Sequence, residues 1–292
     1  MEVIASPSTR LLALRRGVDI EELARRLGRR SIAREDVDGA GHGGRTTSDD
    51  PRRLWEVDHA AWGPIRTEPM GHLARTAAAN LSAAHALIPA VTHHDRADLS
   101  AVEEFRRSLA DEAEARGVRL TALAFHVRAL ARTLRAFPRF NASLAPDGAT
   151  LVLKDYVHVG IAVDAPHGLV VPVLRDAGRL GLWAIARGLS DLAARAQARR
   201  LGPREMGGGS MTISNLGGIG GTGFTPIVNP PEVAILGLSR AEMGPVWTGA
   251  AFEPRLLVPL SLSYDHRVVD GADAARFLRH YAMLLDDPRR LA

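Results

Sequence analysis

The segment "RLLVPLSLSYDHRVVDGADAARF", residues 255–277, holds the chain's clearest strand pattern and, directly after it, a helix start. Residues 255–266 alternate and run apolar as a buried strand does, and "GADAARFLRHYAMLLDD" (271–287) has helical periodicity with Asp270 at its N-terminal edge. A strand end, a tight turn and a helix start together make a rigid mount for His266. Such a mount suits a base that must be held to about half an ångström. The same residues also allow a plainer reading, in which His266 is a satisfied polar residue closing a strand and Asp270-Gly271 is an ordinary turn and cap.

Working outward, "SMTISNL" (210–216), "EVAILGLS" (232–239), "YVHVGIAVD" (156–164) and "GLVVPVL" (168–174) also read as strands. Between and around them, residues 100–117, 121–138 and 182–202 read as helices, the first amphipathic and exposed, the second stopped by Pro138. The pattern predicts an α/β (α+β) domain over 70–292 with a central mixed sheet. Residues 4–39 read as two short helices, one starting at Ser6-Pro7 and stopping at Gly17, the other starting near Asp19. "GAGHGGRTTSDDPRR" (39–53) is aperiodic and rich in Gly, Ser, Thr and Asp, so 40–69 is expected to be a flexible linker.

The 292 residues, 46% hydrophobic and 24% charged, suit a soluble globular protein, and the longest apolar runs fall far short of the roughly 20 residues a membrane span needs. The start "MEVIASPSTR" lacks a signal-like pattern, which makes the cytoplasm the expected location. The formal charge of +4 comes from arginines interleaved with acids, which argues against nucleic acid as a partner. With no cysteine, the chain offers no disulfide, thiolate metal site or cysteine nucleophile, so any thiol chemistry uses thiols brought by substrates. Lys154 is the single lysine.

Three rival chemistries can be weighed on the residues. Asp265, His266 and Asp270, or "THHD" (92–95), contain metal-ligating types, but neighbours on a strand point to opposite faces, and no metal site is expected. A Ser214–His266–Asp270 hydrolase triad lacks the G-x-S-x-G elbow; Ser214 sits in a strand leading into a glycine-rich loop, where a hydroxyl is better placed to donate than to attack. "GGGSMTISNLGGIGGTGF" (207–224) has neither phosphate-loop signature, so its glycines are expected to serve turns and close packing.

"DHRVVDG" (265–271), with 210–239, "FPRFNASL" (137–144) and "VHVGIAVDAPHGLVVPVLRD" (157–176), resembles the catalytic domain of the dihydrolipoamide acyltransferases of 2-oxo acid dehydrogenase complexes. "THHDRADLSAVEEFR" (92–106) and 245–277 are most similar to the pyruvate dehydrogenase type. The resemblance implies a chloramphenicol-acetyltransferase-like fold and a homotrimer, alone or as the unit of a larger cubic core, with sites between subunits. It implies acetyl transfer between dihydrolipoamide and coenzyme A, with His266 as general base, Ser214 as oxyanion donor and Asp270 in support through an arginine, Arg106 being the candidate. Asp164, Phe224 and Thr225 are implied contacts for coenzyme A. In the family the histidine and serine meet across an interface, so a monomer should be inactive.

Residues 4–39 resemble the same proteins' peripheral-subunit-binding domain, which implies dihydrolipoamide dehydrogenase and 2-oxo acid decarboxylase components as partners. There the chain departs from the pattern: "RRLGRRS" (25–31) replaces a glycine-rich loop, and two clamp arginines fall on Leu14 and Ser31, while Arg10 keeps a third. Ala90 stands where the family has histidine. No lysine has a lipoyl-attachment context, so lipoamide would arrive in trans or on a lipoyl domain outside these residues. Two alternatives follow from these departures: a stand-alone acyl-coenzyme A transferase with a non-lipoyl acceptor, and a catalytically idle scaffold.

Overall fold

A computed structural model describes residues 3–16, 18–42 and 55–292. The chain divides after Pro69 into two compact units. In the first, α1 (Pro7–Arg15), α2 (Ile20–Leu27) and α3 (Arg34–His42) enclose a small core of Val3, Ala13, Leu23, Ala24, Ile32 and Val37. Local chemistry sets the helix ends. Ser6 accepts from the Thr9 N–H with Pro7 next in line, Asp19 accepts from the Glu21 and Glu22 N–H groups, and Gly28 closes α2 at φ 65°, a left-handed conformation that glycine adopts without strain. Three helices stand where two were expected, because Asp36 caps the Ala33 N–H at 2.8 Å and starts a third. The expected stop at Gly17 lies outside the described residues, as does part of the expected linker. Arg10 donates to the Val3 carbonyl at 2.6 Å, a bond within this unit.

The second unit begins with α4 (His72–Leu87) and β1 (Ala90–Asp98). The expected helix over 100–117 is two, α5 (Ser100–Ser108) and α6 (Ala110–Ala115), offset at Leu109. Next come α7 (Ala122–Ala136) and a small ladder of β2 (Ala142–Leu144) with β3 (Leu151–Leu153). The two apolar runs over 156–174 each split: β4 (Val159–Ile161) and β7 (Val173–Leu174) join the main sheet, whereas β5 (Val163–Ala165) and β6 (Gly168–Val170) form a separate hairpin. Pro172 lies at the break; it has no N–H for a ladder, and its carbonyl accepts from Ile161 at 2.8 Å. Then follow α8 (Leu182–Gln197), β8 (Met211–Asn215), β9 (Ala234–Leu238), β10 (Glu242–Trp247), β11 (Phe252–Asp265) and α9 (Gly271–Asp286).

The main sheet runs β1-β11-β9-β8-β4-β7, with β10 paired to the first part of β11. It is mixed: β4, β8 and β9 are parallel neighbours and the other pairs antiparallel. This is the α/β architecture with a central mixed sheet that the sequence predicts. One sheet face, carrying Ile213, Leu236, Leu262 and Tyr264, is buried in a single core with the apolar stripes of α7, α8 and α9. The Phe140 and Phe277 rings stack at 4.1 Å within it.

Between α7 and α9, His126 Nδ1 and the Tyr281 hydroxyl are 2.5 Å apart, and both residues are buried. Burial pushes the His126 imidazole down from 6.5 to about 4. The unfolded chain therefore binds more protons between these values, and the fold loses stability as pH falls through that window. From pH 7 to 4 the wild type should lose roughly 3 kcal/mol more than a His126→Gln variant. Urea midpoints of both proteins at the two pH values measure the difference, and parallel losses would refute it.

Candidate active site

The sheet's second face is built differently. Register places Ser214 of β8 beside Gly237 of β9, Gly237 beside Ser261 of β11, and Ser261 beside His94 of β1, one row on one face. The next row on that face holds Thr212, Ile235, Ser263 and Thr92. Four of these polar groups pair with one another: Thr92 and Ser263 hydroxyls are 2.7 Å apart, and His94 Nδ1 lies 3.0 Å from the Ser261 hydroxyl. Thr212 donates at 3.0 Å to Glu232, whose carboxyl burial pushes up to about 7 against the opposing effect of that bond and of Lys154. Lys154 donates to the carbonyls of Ala142 and Gly209, tying the end of β3 to the chain just before β8; its own burial lowers its pKa.

Gly237 explains how the glycine-rich loop reaches this face. A Cβ there would sit 2.6 Å from the Phe224 ring, so only a bare backbone lets that ring lie across the sheet. Phe224 and Thr225 thus overlie the strands next to Ser214 and line an open groove of about 780 Å³ with His94, Arg96 and Arg240. Thr225 also borders a second groove of about 610 Å³ with Thr92, His94 and Ser263. Asp164 is exposed on the separate β5–β6 hairpin, where its backbone carbonyl accepts from Gln197 at 2.7 Å. Phe224 and Thr225 come together; Asp164 does not line their groove.

His266 follows the last residue of β11, its N–H donating to the Pro89 carbonyl at 3.1 Å and its ring exposed beside Tyr264. Asp270 is the N-cap of α9, accepting from the Asp273 N–H at 2.8 Å, so the strand–turn–helix mount is present. Asp270 also adds its negative charge to the burial that raises the Tyr264 pKa. Within one chain, Arg106 does not pair with Asp270. Arg106 instead makes a two-pronged bond to Glu103 one turn back on α5, at 2.8 to 3.2 Å, an i,i+3 partner available without any tertiary contact. Glu103 raises the Arg106 pKa through that bond.

Ser214 and His266 of one chain do not meet. His266 lies five positions past Ser261, and Ser214 two strands across from it. At about 3.4 Å per residue and about 4.8 Å per strand, they stand on the order of 15–20 Å apart. The Ser214 hydroxyl is half-buried and takes no hydrogen-bond partner among the described residues. Sequence reasoning weighed His94 only within "THHD" as a metal-ligating type, and missed Ser261 and Glu232. The alternation of Ser261, Ser263 and Asp265 with apolar residues was the available signal, since it marks a strand whose second face is polar. His93 and His94 do face opposite ways, one beside Leu262 and the other beside Ser261.

The profile of the 2-oxoacid dehydrogenases acyltransferase (catalytic domain) family matches residues 63–292. The chain belongs to this family. Among related proteins, the dihydrolipoyllysine-residue acetyltransferase component of the pyruvate dehydrogenase complex of Pseudomonas aeruginosa is 45% identical over 99% of this chain and 55% of its own length. The corresponding Cupriavidus necator protein is 43% identical over 98% of this chain and 54% of its own. The chain thus spans about half the length of these relatives. A solved Azotobacter vinelandii dihydrolipoamide acetyltransferase superimposes with a TM-score of 0.79 at 49% identity, covering 80% of this chain and 97% of that one. That structure accompanied an investigation of the role of a serine, a histidine and an asparagine in the catalytic mechanism. Among the described residues, no helix is long and apolar enough to cross a membrane.

Proposed function

We propose that this acyltransferase moves an acetyl group between dihydrolipoamide and coenzyme A, as part of a cytoplasmic pyruvate dehydrogenase-type complex. The observation that carries the reading is one of spacing. Ser214, His266 and Asp270 are spaced along this chain as the investigated serine, histidine and asparagine are along the Azotobacter vinelandii protein, with aspartate in place of asparagine at the third position.

The chemistry needs little beyond these groups. Neutral His266 takes the proton of the coenzyme A thiol as its sulfur attacks the acetyl carbonyl of acetyl-dihydrolipoamide. The new C–S bond turns the carbonyl oxygen into an oxyanion, to which the Ser214 hydroxyl donates. Collapse breaks the old C–S bond, and the departing dihydrolipoamide sulfur receives the proton from His266. An ordinary thiol near 8.5 and imidazole near 6.5 make the first proton transfer uphill by only about 2.7 kcal/mol. Asp270 holds the end of the His266 turn, and Phe224, Thr225 and Asp164 are assigned to coenzyme A. The 15–20 Å separation within one chain supports a site shared between protomers, hence a trimer, and the exposed Met243, Trp247 and Phe252 of the β10–β11 hairpin offer apolar surface for such an assembly. The first unit is assigned to docking the dehydrogenase and decarboxylase components, with lipoamide delivered from outside these residues.

Purified protein given acetyl-coenzyme A and free dihydrolipoamide should form acetyl-dihydrolipoamide. Turnover only with other acceptors would favour the stand-alone transferase, and none at all the idle scaffold.

A further inference from the structure

His266 is flanked by two residues that bond to each other past it. Arg267 gives Asp265 four bonds: Nε to Oδ1 at 2.9 Å and to Oδ2 at 3.2 Å, Nη2 to Oδ2 at 2.7 Å, and its backbone N–H to Oδ1 at 3.0 Å. The Asp265 side chain is 4% exposed and that of Arg267 43%. Among the described residues nothing else donates to this carboxylate. Asp265 is also anchored through its backbone, its N–H donating to Val233 at 2.8 Å and its carbonyl accepting from Val268 and Val269 at 3.0 and 3.1 Å.

We propose that Asp265 and Arg267 form a clamp that fixes the backbone on either side of His266 and so sets the aim of its imidazole. The proposal rests on His266 being the base. An exposed ion pair contributes little, but this carboxylate is buried and meets a planar fork that fills both oxygens. Without the fork the carboxylate keeps only the Arg267 N–H and must take water from the groove of about 600 Å³ that both residues line, which lets the turn shift. That motion displaces His266, and a shift of about 1 Å in a reacting group can cost on the order of 100-fold in rate. Arg267 and Asp265 are therefore positioning residues, acting through His266 rather than on substrate.

Arg267→Lys keeps the charge and loses the fork. It should lower kcat by about tenfold or more while leaving KM for coenzyme A and for dihydrolipoamide within about twofold, because uniform binding is untouched. The double variant Asp265→Asn/Arg267→Gln replaces the ion pair with two amides able to bond each other, and should recover most of the lost kcat. It also keeps the test open should Arg267→Lys fail to fold. Wild-type kcat in Arg267→Lys would overturn the clamp. So would a raised KM at unchanged kcat, which would make Arg267 a substrate contact, or a double variant no better than Arg267→Lys. His266→Ala run in the same assay separates two failures. If it keeps turnover, the base assignment falls; if it is inactive while Arg267→Lys matches wild type, the clamp alone falls.

Discussion

His266→Ala should lower kcat by roughly 100- to 10,000-fold, the range over which a positioned general base accelerates proton transfer. Nothing beside it takes over the role: Asp265 is held by Arg267 and Asp270 by the start of α9. The fold should survive, because the ring is exposed and packs only loosely on Tyr264 at 5.8 Å between centroids. Melting temperature and assembly size should therefore match wild type while acetyl transfer collapses. Substantial residual turnover in a correctly assembled variant would remove His266 from the mechanism.

Ser214→Ala should cost about 100- to 1,000-fold, the loss found when one oxyanion donor is removed. The more telling experiment mixes the two variants. If the oxyanion donor comes from the adjoining protomer, co-expressed His266→Ala and Ser214→Ala chains will assemble some sites in which both intact residues meet. With equal, random mixing in a cyclic trimer, roughly a quarter of the sites are whole. Activity should rise from near nothing in each variant alone to about that fraction in the mixture. If serine and histidine worked within one chain, every site would lack one of them and mixing would restore nothing.

Much of the architecture is legible in the sequence, and the parts that escape have physical causes. Residues 255–287 declare themselves because a buried strand, a turn and a capped amphipathic helix each leave a local pattern. By contrast α4 is rich in alanine and exposes most of its surface, and β1 carries "THHDRAD", too polar to read as a strand until its pairing with β11 is known. The site behaves similarly. Ser214, His266 and Asp270 sit in recognisable local contexts, whereas the row from Ser214 to His94 exists only through the register of four strands far apart in sequence. Arg106 meets Glu103 one turn away on its own helix, a local pairing that the expected link to Asp270 left out of account.

The position of β11 has a consequence for how the protein wears out. Over Leu260–Tyr264 this strand is hydrogen-bonded on both sides, to β1 and to β9. Amide protons there exchange with deuterium only when β1 or β9 separates from this strand, so the stretch should be among the last to take up label. The base is thus hinged to a slow-opening part of the molecule. Heat should abolish turnover and cooperative structure at the same temperature, with no earlier step in which an intact fold has already lost its histidine.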